Sequence, residues 1–213
     1  MKIANLSVKE LLHIVDIAVK AALTVPELQK VLKAHSIDEK KMQVGLDLAQ
    51  KVVVWQDRQD TAQAQTRQSQ HTFKDVLRSI KALYRSHRET ARFAYREDVA
   101  QQQKLGLPGA RAARYAEWRN QTEKFYTHLD TKLMAKYGLP AAEITEVKAL
   151  LSKLSELEVL RNDARRQAQQ ATYGKRMAVQ ELRSWFARFM RVARVACTDD
   201  PQLLESMGIV VPS

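Results

Sequence analysis

Glycine and proline are scarce: six and five among 213 residues, with neither between Gly45 and Gly106. So little punctuation, in a chain dominated by Ala, Leu, Gln, Lys, Arg and Glu, predicts helix almost throughout. Cysteine is nearly absent as well. With Cys197 alone, no disulfide forms within the chain, which excludes a stapled secreted scaffold and fits a reducing, cytoplasmic setting. No apolar run reaches the length of a membrane span. Val8 to Leu23 is the nearest approach, but Lys9, Glu10, His13, Asp16 and Lys20 interrupt it, so it reads as an amphipathic helix. The opening Met-Lys-Ile-Ala-Asn shows no signal-peptide core, and the expectation is a chain without a leader.

Acidic residues are outnumbered, 24 against 35 basic, for a formal charge of +11. Cations exceed anions in every quarter of the chain, so there is no separate basic tail. Any electrostatic role belongs to folded helical surfaces. Apolar residues make up 45% of the sequence, enough for a core and too many for general disorder.

The chain is similar to itself. A shift of about 102 positions aligns Leu105-Gly106-Leu107 with Met207-Gly208-Ile209, Asp98 with Asp200, Ile37 with Leu139, Lys30 with Lys132 and Ala62 with Ala164. Leu77-Arg78-Ser79 matches Leu182-Arg183-Ser184 three residues out of that register, close to one helical turn. The expected organisation is therefore two repeat units, 1–107 and 108–213. Each contains an amphipathic helix, a short loop, a very long helix and a coda ending in Gly. The expected fold is all-α: a tandem duplication of a long-helix unit forming an elongated antiparallel helical bundle.

Local signals place the breaks. Ser7 with Glu10 reads as a capping box. Thr24 and Glu27 around Pro26 read as a second start, with a kink or break. Loops fall at His35–Asp38 and Tyr137–Pro140, and Leu107-Pro108-Gly109 divides the repeats. The first helix of the second repeat is expected to run unbroken from Ala110 to Lys136. In the long stretch, positions 62, 66, 69, 73, 76, 80, 83, 87, 91 and 94 carry small or apolar residues and one histidine, a coiled-coil-like seam. The second repeat continues the pattern with Ala164, Ala168, Ala171, Ala178, Leu182, Trp185, Phe189, Val192 and Ala196. A turn in the polar middle, near 68–72 and 172–174, competes with a continuous helix of about 80 Å. Continuity is favoured, because Ser69 and Thr72 are the strongest turn residues the first repeat offers there.

Chemistry-bearing motifs are few. Glu10-Leu11-Leu12-His13 has the Glu-x-x-His spacing of di-iron bundles but lacks a second copy, so Glu10 reads as a cap and no metal or cofactor is expected. There is no nucleophile elbow, P-loop or paired-cysteine spacing, and no catalytic residue or small-molecule substrate emerges. Cys197 and His87 read as core residues, and the aromatic residues as packing.

The clearest surface signal is cationic. On a helix, Arg78, Lys81, Arg85, Arg88, Arg92 and Arg96 fall within about 80° of arc, beside the apolar face of Phe73, Ile80 and Leu83. Arg176, Arg183, Arg191 and Arg194 cluster in the second repeat. Such rows bind phosphates, or pair with acidic residues of a neighbouring helix. The expected role is a non-catalytic structural or protein-interaction protein, self-association included. The alternative is sequence-nonspecific binding of nucleic acid, or of an anionic membrane surface, along the arginine rows.

Overall fold

The computed structural model describes residues 3–209. Helix dominates, and among these residues there is no strand. Seven α-helices follow in order: α1 Val8–Thr24, α2 Pro26–Ala34, α3 Glu39–Ala94, α4 Val99–Lys104, α5 Tyr115–His128, α6 Thr131–Lys136 and α7 Ala141–Ala196. A turn of 3-10 helix precedes α1 at Ile3–Asn5, and a seven-residue 3-10 segment follows α7 at Pro201–Met207. Both long helices are continuous, 56 residues each, with no turn in their polar middles.

The start signals act largely as expected. The Ser7 hydroxyl accepts the Glu10 amide at 3.3 Å, and the Glu10 carboxylate accepts the Ser7 amide at 2.7 Å. These hydrogen bonds from Ser7 hold the Glu10 carboxyl below its ordinary value. Pro26 is the first residue of α2, where its missing N–H costs nothing, and the chain breaks at Val25. Thr24, however, does not cap α2: its hydroxyl donates back to the Lys20 carbonyl, 2.8 Å away.

The unbroken helix expected from Ala110 to Lys136 is instead two. Residues 110–114 are not helical, and α5 stops at His128. The Asp130 carboxylate then accepts the amides of Lys132 and Leu133 and starts α6. An aspartate at that position satisfies the exposed amides of a new helix end, so the chain breaks without proline.

Packing divides the chain into two compact units whose limits differ from the 1–107 and 108–213 expected from the sequence. One comprises the chain up to Ala64 together with Arg166 onward; the other is Gln65–Arg165. Each unit therefore takes elements from both halves of the sequence, and each long helix contributes to both.

The first unit is built on α1. Its residues Leu11, Ile14, Val15, Ala18, Val19 and Ala22 recur at helical spacing and are buried together. Against them pack Leu28 and Leu32 of α2, Phe186, Met190 and Ala193 of α7, and Leu204 and Met207 of the final turn. Cys197 lies in this core, and burial pushes its thiol up, so it acts as a small apolar residue. Within the unit Lys51 pairs with Glu181 at 2.6 Å, while the Gln59 amide donates to the Thr172 hydroxyl at 3.1 Å. Residue numbers fall along α7 as they rise along α3.

The second unit gathers Phe73, Ile80 and Tyr84 of α3, Trp118, Phe125 and Tyr126 of α5, Met134 of α6, and Ile144, Val147 and Leu154 of α7. Leu105 and Leu107 of the first coda join them. Here too the order inverts: the Thr66 hydroxyl donates to the Ala164 carbonyl, Arg161 lies over the Phe73 ring, and His87 faces Glu143.

Every seam position named above is buried or half-buried. Their sizes differ along the helix, however. The apolar cluster of the first unit ends on α3 at Trp55, and that of the second begins at Phe73. Between them the seam offers Ala62, Thr66 and Ser69, which bury little apolar area.

Candidate functional site

The ten cations of the two rows have different environments. In the second unit, Arg78 is exposed and paired with Asp75 at 3.0 Å, and Lys81 is exposed with its ammonium 5.4 Å from the Trp118 ring centre. Arg85 is exposed. Arg96 stands over the Phe93 ring at 5.5 Å and meets Glu97. Arg88 and Arg92 turn inward. Arg88 is 2% exposed and donates to the carbonyls of Gly106, Leu107 and Gly109. Arg92 donates to Leu107 and Gly109 and pairs with Glu89.

Two guanidinium groups thus tie the Gly106–Gly109 turn to α3. Carbonyls in that turn have no helical partner, and Arg88 supplies donors where water is excluded. Burial, with Arg92 as a like-charged neighbour, lowers the Arg88 pKa from its ordinary value. The solvent-facing part of the row is Arg78, Lys81, Arg85 and Arg96.

In the first unit Arg176 is exposed and lies over Tyr173 at 5.3 Å. Arg183 is half-buried and donates to the Leu6 carbonyl at 2.6 Å. Arg191 and Arg194 are exposed. The Glu10-x-x-His13 spacing remains a cap followed by an exposed histidine. Among the described residues no group of three or more His, Cys, Asp or Glu is placed to hold a metal ion.

Three constellations were not legible in advance. The first is polar, with His87 and Tyr126 buried: His87 Nδ1 lies 2.8 Å from the Tyr126 hydroxyl, and its Nε2 lies 3.4 Å from a carboxylate oxygen of the exposed Glu143. Glu143 only accepts, which places the ring proton on Nε2 and leaves Nδ1 to accept from Tyr126. Burial pushes the Tyr126 phenol far up and His87 down, so both remain neutral. The seam histidine therefore joins α3, α5 and α7.

The second is an exposed aromatic pair. Phe93 and Tyr137 meet edge to face with ring centres 5.8 Å apart, yet are 61% and 41% exposed. Arg96 covers the Phe93 ring. Solvated aromatics in mutual contact, flanked by an arginine, have the composition of interface anchors.

The third is a cleft in the first unit, floored by Trp185 and Phe189, whose rings lie 5.3 Å apart and 3° from parallel. A glycine inside α3, Gly45, lies against its Trp185. A Cβ at Gly45 would overlap the Trp185 ring, so only glycine lets the indole come this close to α3. Gly174 of α7 stands in the same relation to Trp55, where a Cβ would meet the ring at 2.5 Å. The signal was present in the sequence: glycine within a helix costs about 1 kcal/mol relative to alanine, so one retained there marks a close approach.

No family model, curated protein or solved structure matches this chain.

Proposed function

We propose that this chain is a non-catalytic helical scaffold that works by binding a protein partner, a second copy of itself included. Its architecture is a tandem duplication of one long-helix unit, 1–107 and 108–213, in an elongated antiparallel bundle. Matched backbone detail supports the duplication. Each coda begins at an aspartate cap, Asp98 or Asp200, and ends at a left-handed glycine, Gly106 or Gly208. Each short helix ends in a left-handed residue, Ser36 or Gly138, followed by a buried Ile37 or Leu139.

The observation that carries the binding role is the solvated Phe93–Tyr137 pair with Arg96 beside it. Sedimentation velocity over a dilution series tests self-association. Phe93→Glu is expected to weaken the association by about thirtyfold, the effect of losing one interface anchor. A chain that stays monomeric at every concentration, with cross-linked partners unchanged by Phe93→Glu, counts against this reading.

A second reading rests on the exposed cations Arg78, Lys81 and Arg85: sequence-nonspecific binding of nucleic acid. Replacing the three with Glu is expected to abolish retention on duplex DNA at low salt. Lys81→Gln and Arg85→Gln together are expected to reduce the slope of log affinity against log salt by about 2. Arg88 and Arg92 are unsuitable for that test, because their loss would free the turn at Gly106–Gly109. Absence of retention at low salt ends this reading.

A further inference from the structure

The cleft beside Trp185 lies wholly within the first unit, and the exposed Phe93 surface does not account for it. Its volume is about 370 Å³, within the range of small-molecule sites. Trp185 and Phe189, stacked on one another, form an aromatic floor. Ile37, Val44 and Val192 form apolar walls. Val44 is 49% exposed although it lines this surface, so the cleft opens to solvent.

The polar groups at its edge are all basic. Lys41 stands on the α3 side, with its ammonium on the Ser36 carbonyl, and Arg188 on the α7 side. His35 completes the rim, and its Nδ1 faces the Val31 carbonyl at 3.1 Å. Among the described residues no acidic side chain lines the cleft. An apolar floor with cations confined to the rim matches a ligand with an apolar body and one anionic end. Burying that body gains the hydrophobic term, and Arg188 offers a bidentate donor pair to a carboxylate.

We infer that this cleft is a binding site for a monomeric apolar carboxylate, such as a medium-chain fatty acid. The body lies on Trp185 and Phe189, and the carboxylate meets Arg188 and Lys41. Gly45 leaves room for the indole, because a Cβ there would overlap its ring. The site is independent of the proposed interaction surface, which belongs to the other unit, so the two readings fail separately.

The test is calorimetric titration of the full chain with decanoate, below the concentration at which decanoate forms micelles. A single saturable site is expected. Decanol, which keeps the chain and removes the charge, should bind about tenfold more weakly, as should decanoate to Arg188→Glu. Val44→Glu places a carboxylate at the wall and should remove binding altogether. Arg188 is exposed, so its variant keeps the fold even if Val44→Glu does not. Heat without saturation, equal binding of decanol and decanoate, or unchanged affinity in Arg188→Glu would each overturn the assignment.

Discussion

Gly45→Ala is expected to destabilise the protein by about 1–3 kcal/mol, the usual cost of forcing an extra methyl into a packed site. Helix propensity alone predicts the opposite, a gain of about 1 kcal/mol, because alanine is the best helix former and glycine among the worst. The sign of the change therefore decides which effect governs. The structure favours the steric cost: the new methyl would overlap the Trp185 ring, and that ring is held by Phe186 and Phe189 on its own helix. Trp185 is 9% exposed, so most of the ring is packed against neighbours and any withdrawal must be into the adjoining cleft.

A second substitution separates the two terms. With Trp185→Leu in place the obstacle is gone, and Gly45→Ala should become neutral or stabilising. Urea unfolding of the four chains closes the cycle, with an expected coupling of about 2 kcal/mol between the sites. Gly174→Ala meets Trp55 in the same way, but Trp55 is only half-buried and has more freedom to move. Its cost should be smaller. If Gly45→Ala stabilises the otherwise unchanged chain, the close approach of α3 and Trp185 is wrong.

Much of the helical layout was legible because it is written locally. The capping box at Ser7, the proline at 26 and the left-handed glycines at 106 and 138 act through their immediate neighbours. The continuity of α3 was legible too, since neither glycine nor proline falls between Gly45 and its end at Ala94. The break at Asp130 was missed because an aspartate caps a helix only where the chain already turns, and the apolar pattern through Leu129 and Leu133 runs across the gap.

Partner choice was the larger omission. A seam of small and apolar residues says that a helix face is buried but not against what, so the division of each long helix between the two compact units left no signature. The arginine row shows the same limit. Arg85 and Arg88 have identical chemistry and fall on one edge of α3, yet Arg88 reaches carbonyls of a distant turn and Arg85 faces water. Only the placement of Gly106–Gly109 distinguishes them.

The seam histidine leads to the second large expected effect. His87→Leu fits an apolar environment but leaves the buried Tyr126 hydroxyl without its 2.8 Å partner, a loss of about 1–3 kcal/mol near neutral pH. The loss should shrink in acid. Burial holds the His87 imidazole below its ordinary value of 6.5, against the opposing pull of Glu143, so the unfolded chain binds this proton more tightly than the folded one. The stability that neutral His87 contributes is complete above 6.5. It falls as pH drops through 6.5 toward the depressed folded value, and the slope ends below that value. Protonation also turns Nδ1 into a donor, which opposes the Tyr126 O–H in its present direction. The other four histidines, His13, His35, His71 and His128, are exposed, so the difference between the wild-type and His87→Leu unfolding curves isolates this group. Urea unfolding at a series of pH values should give curves that separate above 6.5 and converge below it. Parallel curves across that range would mean that His87 is not held neutral in the core, and the Tyr126–His87–Glu143 relay would have to be abandoned as the join between the three helices.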